Sequence, residues 1–329
     1  MGLANAQLNH WLILVGKVRL FCLLALTSGL AACSNVPLYD WQSQYERDNP
    51  LAGTIWSLSD GMRVNSYIDE LQLSAPRLLI GEVHDNPDHH RIQLQLVQTL
   101  VRQQGRYPTL VFEQFDQDQQ ALLDQYLRGD LNTLAMKTRF AERGWDWEYY
   151  RPLLELASDY DLQVYAGNLN RAQLKTLEQS ETPPQLAELL QIPLAEGALD
   201  RLRDDIRSSH CNMVDDDMVE RMVRAQRLRD AGLAETVIKA QEPVVMIAGD
   251  GHVRLDYGAG AILENREWRS VLSVGLIEVQ PGKVHLEDYP ELYLNGKRVF
   301  DVVIFTARAH DEDACTRFRQ QLQNMGHKP

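Results

Sequence analysis

Two apolar runs in this chain stop on the same spelling. Arg77-Leu-Leu-Ile80 leads into Gly81-Glu-Val-His84, and Pro243-Val-Val-Met-Ile-Ala248 leads into Gly249-Asp-Gly-His252. A third run, Thr109-Leu-Val-Phe112, ends directly on Glu113. A short apolar run that closes on glycine and then offers a carboxylate and an imidazole has the form of a parallel strand at its C-terminal end, where open α/β sheets build their sites. Glu82, His84, Glu113 and His252 are therefore expected at one sheet edge, and three kinds of chemistry fit them. With Glu82, His84 and His252 as ligands, a divalent cation would activate water and a spare glutamate would act as general base. Without a metal, His84 is the base, and Glu82 or Glu113 orients it and raises its basicity. In the third, the four residues form a hydrogen-bonded network that only closes the sheet edge. The spacing is not the H-E-x-x-H of the common zinc proteases, so no zinc class follows from it.

For the four side chains to meet, the runs at 77–80, 109–113 and 243–248 must lie in one mainly parallel sheet. After the first, Asn86-Pro87 is an N-cap with proline at the first helical position, and Ile92, Leu94, Leu96, Val97, Leu100 and Val101 carry a helix to a stop at Gly105. Its N–H groups then face the site, which suits a carboxylate or an anionic ligand. A helix near 116–128, the cluster Trp145-Asp-Trp147-Glu-Tyr149-Tyr150, a helix to Tyr160 and a strand over 162–166 follow. Residues 181–235 carry no strand pattern, and Met213, Met218, Met222 and Val223 recur at helical spacing, as in a small helical subdomain inserted between strands. The sheet resumes at 243–248, 271–277 and 302–305. The fold class is thus α/β, a mainly parallel sheet flanked by helices, built from residues 51–180 and 236–310.

The start of the chain reads as a lipoprotein leader over residues 1–32. Lys17 and Arg19 are its basic region, Leu20-Phe-Cys-Leu-Leu-Ala-Leu26 is an apolar core shorter than the roughly 20 residues a spanning helix needs, and Leu30-Ala-Ala-Cys33 is a lipobox. Cys33 is then expected as an acylated first residue that ties the chain to a membrane facing an oxidising compartment. Ser34 stands where an aspartate would hold such a protein at the inner membrane, so the expected address is the outer membrane of a Gram-negative cell, facing the periplasm. Residues 33–50 are polar and aperiodic, as in a tether. The formal charge of −13 argues against a nucleic-acid partner. Beyond Cys33 only Cys211 and Cys315 remain, too few for a zinc cluster or a disulfide framework, and whether they pair depends on a distance the sequence does not give.

The ordered set of motifs resembles a known family. Gly81-Glu-Val-His-Asp-Asn86 with His90 and Gln93, Glu113-Gln-Phe115, Gly144-Trp-Asp-Trp-Glu-Tyr149, His210-Cys211, Gln226 with Arg229-Asp230-Ala231, and Gly249-Asp-Gly-His-Val-Arg254 are similar to the ChaN-type haem-binding lipoproteins. That family belongs to a superfamily with the Tiki proteases, the TraB proteins and the erythromycin esterases. The resemblance covers roughly residues 51–277. One departure is Gly258-Ala-Gly260, where a Gly-Val-Pro-like turn is expected. The resemblance implies an outer-membrane lipoprotein of haem or iron uptake, in which haem is the cofactor and lies between two subunits of a homodimer, with a tyrosinate on iron and a histidine nearby. Tyr149, Tyr150, Tyr165 and Tyr257 are the candidates for that tyrosine. The wider superfamily implies the alternative, a metal-dependent or histidine-based hydrolase.

Overall fold

The computed structural model describes residues 40–64, 75–102, 105–179, 182–266, 271–313, 315–317 and 319. The leader and Cys33 lie outside the described residues. Two short strands that no sequence pattern announces come first, β1 (Ile55–Ser57) and β2 (Met62–Val64). Next are β3 (Arg77–Glu82), α1 (Pro87–Arg102), β4 (Thr109–Asp116), α2 (Gln120–Tyr126), α3 (Leu131–Lys137), α4 (Trp147–Asp159) and β5 (Val164–Asn168). A helical stretch follows, with α5 (Arg171–Gln179), α6 (Pro184–Leu190), α7 (Ala198–Ser209) and α8 (Asp216–Lys239). The chain then returns to the sheet through β6 (Val244–Gly249), α9 (Asp250–Val253), α10 (Ala259–Arg266) and β7 (Val271–Glu278). A hairpin, β8 (Tyr293–Leu294) and β9 (Lys297–Arg298), precedes β10 (Val302–Thr306).

The main sheet has the order β2-β1-β10-β7-β3-β6-β4-β5. From β10 to β5 every neighbouring pair is parallel, and at the other edge β1 pairs antiparallel with both β10 and β2. The strands at 77–82, 109–116 and 244–249 are central, with β6 between β3 and β4. From β3 the chain crosses β6 to reach β4, whereas from β6 it crosses β3 in the other direction to reach β7. That reversal makes the C-terminal ends of β3 and β6 the switch point, where the two connections part and leave a crevice. In register, Glu82 lies opposite Gly249, so both G-x-x-H motifs emerge at this place.

The period of two in the strands supplies both layers. Leu79, Val111 and Met246 pack with Ala231, Ala234 and Val237 of α8 and with Ile262 and Leu263 of α10. The alternate residues Leu78, Ile80, Leu110, Phe112, Val245 and Ile247 are equally buried on the other face, the side of α1 and α4, which pack against each other. The stretch 181–235 expected as helical carries α6, α7 and most of α8, which runs on to Lys239 and whose second half joins the core of the sheet. From Trp41 the expected tether is docked instead: Trp41 is buried, and the backbone N–H groups of Gln42 and Ser43 donate to the carboxylate of Asp88 at 3.0 and 2.8 Å. Cys211, just past α7, is disulfide-bonded to Cys315 with 5.4 Å between Cα atoms.

Candidate functional site

Glu82 is the last residue of β3 and its side chain is wholly buried. It is held by donors from three elements and from the turn after β3. His84 Nδ1 donates to its Oε1 at 2.8 Å, Gln114 Nε2 of β4 to the same atom at 3.0 Å, Gln93 Nε2 of α1 to Oε2 at 2.6 Å, and the hydroxyl of Tyr150 on α4 to Oε1. His90 of α1 places Nδ1 3.5 Å from Oε2 and donates Nε2–H to the carbonyl of His84 at 3.0 Å. Burial works against an ionised Glu82, but His90, His84 and the Tyr150 hydroxyl outweigh it and bring its pKa down to about 2.

His84 lies at the mouth, its side chain 41 % exposed, with its ring edge-on to Trp145 at 4.7 Å. Gly249 makes room for it: a Cβ there would stand 3.0 Å from Cε1 and Nε2 of His84 and 3.5 Å from Oε2 of Glu113. Burial opposes the imidazolium, and the hydrogen bond to Glu82 together with the charge of Glu113 overcomes it, raising the pKa to about 9.

The second half of the site centres on His252 in α9. Its Nδ1–H donates to Asp230 Oδ1 of α8 at 2.6 Å, its Nε2 lies 3.4 Å from Glu113 Oε1, and the Gln226 amide lies 3.2 Å from both ring nitrogens. Glu113 also accepts the backbone N–H of Gly249 at 2.7 Å. Against burial, Glu113 and Asp230 raise His252 to about 10. Glu113 is pushed down, with burial overcome by His252, His84 and the Gly249 N–H, while burial leaves Asp230 raised in spite of His252. At neutral pH both imidazoles are therefore cations between carboxylates, and Glu113 links the two halves.

The expected metal triad is not formed. Among the described residues no group of three or more His, Cys, Asp or Glu side chains is arranged to hold a metal ion. Glu82 and His84 pair with each other, whereas His252 turns to Asp230 and Glu113, so each imidazole spends an N–H on a carboxylate. Arg254, the end of the second motif, does not join the site either; its guanidinium forks onto Asp256 at 2.8 and 2.6 Å.

The four tyrosines are dispersed. Tyr150 is buried with its hydroxyl on Glu82. Tyr257 is buried, its hydroxyl donates to Asp205 at 2.9 Å, and the Arg254 guanidinium lies over its ring at 4.6 Å. Tyr149 is half-buried and stacks on His90 at 4.8 Å, and Tyr165 is 36 % exposed on the edge strand β5.

Beside Gln226 a cleft of about 500 Å³ opens between α7 and α8, reaching Asp250 and Tyr257. Its size is that of sites for small organic ligands, with Leu202, Ile206, Met222 and Ala225 as apolar walls and Asp205, Gln226, Arg229 and Asp250 as polar lining. A Cβ on Gly258 would lie 2.6 Å from the carbonyl oxygens of Gly251 and His252, so glycine lets α10 start hard against α9.

Asp230 is the site residue that strand-end motifs do not point to. Its signal is a carboxylate in the apolar stripe of α8, in line with Val219, Val223, Ala234 and Val237. Gln114 has no such signal, because strand alternation alone does not say that its amide is buried on Glu82.

A family model described as haem-binding uptake, Tiki superfamily, ChaN matches residues 70–263. The fold is similar to that of ChaN of Campylobacter jejuni, a structure of cofacial haem binding, with a TM-score of 0.61 and 17 % identity over 76 % of this chain and 95 % of that one. At that identity the likeness is one of fold. It is more distantly similar to the erythromycin esterase EreC, in the open conformation of a mutant (TM-score 0.43, 13 % identity, 79 % and 99 % of the two chains), and to a Bacillus cereus protein (0.39, 14 %, 70 % and 71 %). No curated protein matches the chain. The match over 70–263 spans more than half of the sequence and takes in both halves of the site: the chain belongs to the ChaN family of haem-binding uptake proteins within the Tiki superfamily.

Proposed function

We propose that this chain is a haem-binding lipoprotein, anchored through Cys33 to the outer membrane on its periplasmic side, that serves haem or iron uptake as a homodimer around its ligand. The observation that carries this reading is the family match across residues 70–263. The basic, apolar and lipobox segments that end at Cys33 support the anchor. The test is a hemin titration of the chain from residue 33 with Cys33→Ser, followed by absorption and by sedimentation. Saturation at a defined ratio with a shift from monomer to dimer is expected; unsaturable, non-specific uptake of hemin would refute the reading.

A second reading, a metal-free hydrolase, is supported by one relationship. Glu82 is buried behind His84 and accepts from its Nδ1 at 2.8 Å, while the ring opens to the crevice, which is how a carboxylate orients a histidine base. With a pKa of about 9, such a base would be mostly protonated at neutral pH. Ester hydrolysis by this route should rise with pH through about 9 and vanish in His84→Ala. Activity that survives His84→Ala would exclude it.

A further inference from the structure

One covalent tie in the fold belongs neither to the Glu82 and His252 networks nor to the core. α7 ends at Ser209, and the turn beyond it runs through Cys211 and Asn212 at φ of 58° and 56°, with the Asn212 N–H on the carbonyl of Arg207 at 2.8 Å. Left-handed helix stops of this kind favour glycine. Cysteine stands here instead, and its sulfur is spent on Cys315 in the C-terminal segment.

That segment touches both sides of the site. Up to Ala309 it is fixed to the core: Arg308 bridges to Tyr45 through the backbone, and the Ala309 N–H donates to Glu278 Oε1 at 2.9 Å. Beyond it, His310 Nε2 and Arg317 Nη1 both lie on Asp85 Oδ2, at 3.0 and 2.7 Å. Asp85 directly follows His84 in the turn after β3. Cys315, between them in sequence, lies at the end of α7, its Sγ 3.8 Å from the carbonyl oxygen of Ser208. The next two residues of α7 and its cap, Ser209 and His210, line the cleft. The segment therefore runs from the lip that carries His84 to the lip that carries Ser209 and His210. Its tie to the first lip is made by half-exposed ionic groups, and ion pairs of that kind contribute little. Its tie to the second is covalent.

We propose that the Cys211–Cys315 disulfide is a redox latch: oxidised, it holds the segment from His310 to Arg317 across the rim of the crevice, and reduced by a protein dithiol it lets that segment swing out about Ala309 and uncover His84. The proposal is independent of which ligand or substrate the crevice takes. Both cysteines are only half-buried, which leaves their sulfurs within reach of a dithiol. A thiolate of the dithiol attacks one sulfur, the Sγ–Sγ bond breaks and a mixed disulfide forms. The dithiol's second thiolate then displaces the remaining cysteine, so two electrons and two protons end on Cys211 and Cys315 and the dithiol becomes a disulfide. A cross-link with a purely structural role would free His310 on reduction and leave access to His84 as it was.

The test uses the detergent-solubilised full chain and diethyl pyrocarbonate at one pH, with the modified histidines identified by mass spectrometry. His310 reports release of the segment, and His84 reports opening of the crevice. Reduction of the wild type with excess dithiothreitol, and Cys211→Ser without reductant, should each speed modification of both histidines by about fivefold or more. Reoxidation should return the wild type to the slow rate. Hydrogen exchange over residues 109–116 should stay as slow as before, which separates local release from unfolding. The wild-type arm needs no variant, so it decides the matter even if Cys211→Ser fails to fold. The latch is overturned if His84 keeps its rate while His310 speeds up, if 109–116 loses protection together with the segment, or if the disulfide of the folded protein resists the dithiol.

Discussion

Glu82 and His84, two residues apart at the end of β3, form a pair in which Oε1 accepts from Nδ1 at 2.8 Å. The acid is wholly buried and the imidazole is 41 % exposed. β3 ends at Glu82, and the turn that follows folds His84 back over the strand end onto its carboxylate. The pair thus joins the α1–α4 layer to the crevice. Removing the charge of Glu82 with Glu82→Gln leaves His84 only the charge of Glu113 and turns an amide toward donors that the carboxylate accepted, and should cost about 1–3 kcal/mol. Tyr150→Phe takes away one donor among several and should cost about 1–3 kcal/mol. Urea unfolding checks both, and a wild-type midpoint for Glu82→Gln would mean that the network contributes no stability.

The same ionisations set a pH window. Glu82 falls from 4.5 to about 2 on folding, so its contribution is complete above about pH 4.5 and is lost as pH drops through 2. His84 and His252 rise from 6.5 to about 9 and about 10, so theirs are complete below pH 6.5 and are lost as pH climbs through those values. Tm is expected to be highest between about pH 4.5 and 6.5 and to fall on both sides. In His84→Gln the alkaline decline should shrink; calorimetry across pH that finds it unchanged would remove His84 from the account.

Gly249→Ala puts a methyl 3.0 Å from the His84 ring. The ring must leave Glu82 or the strand end must shift, at a cost of about 1–3 kcal/mol. Nuclear magnetic resonance of the His84 ring should show its pKa moving down from about 9 toward the ordinary value as the Glu82 bond loosens. A titration curve identical to the wild type would contradict the contact.

Cys211 and Cys315 are separated by 104 residues. A cross-link over a loop of that length restricts the unfolded chain strongly, so Cys315→Ser should lower stability by about 2–5 kcal/mol in urea under oxidising conditions. The loss should disappear when both proteins are compared in excess reductant.

Cys33→Ser should abolish acylation at the proposed lipobox and release the chain from the membrane fraction. Growth with a radioactive fatty acid reads this directly, and label retained by the variant would place the anchor elsewhere.

Much of the frame was written in the chain itself. The apolar runs at 77–80, 109–113 and 243–248, each closing on glycine or glutamate, predict strands because runs this short with such stops have few other solutions. Asn86-Pro87 marks a helix start for an equally local reason. Glu82, His84, Glu113 and His252 were visible as strand-end groups for the same cause. Which of them face one another was not, because that depends on β6 lying between β3 and β4, a long-range pairing that no local pattern encodes. Tertiary structure therefore decided that His252 meets Asp230, which lies 22 residues earlier on α8, rather than Glu82. It likewise decided that the three proposed metal ligands part into two networks, and that Trp41 packs where a free tether was expected. β1 and β2 have no sequence signature because strands of three residues are specified by their partners, β10 for β1 and β1 for β2, more than by their own residues. The pairing of Cys211 with Cys315 depended in the same way on a 5.4 Å approach that only the folded chain creates.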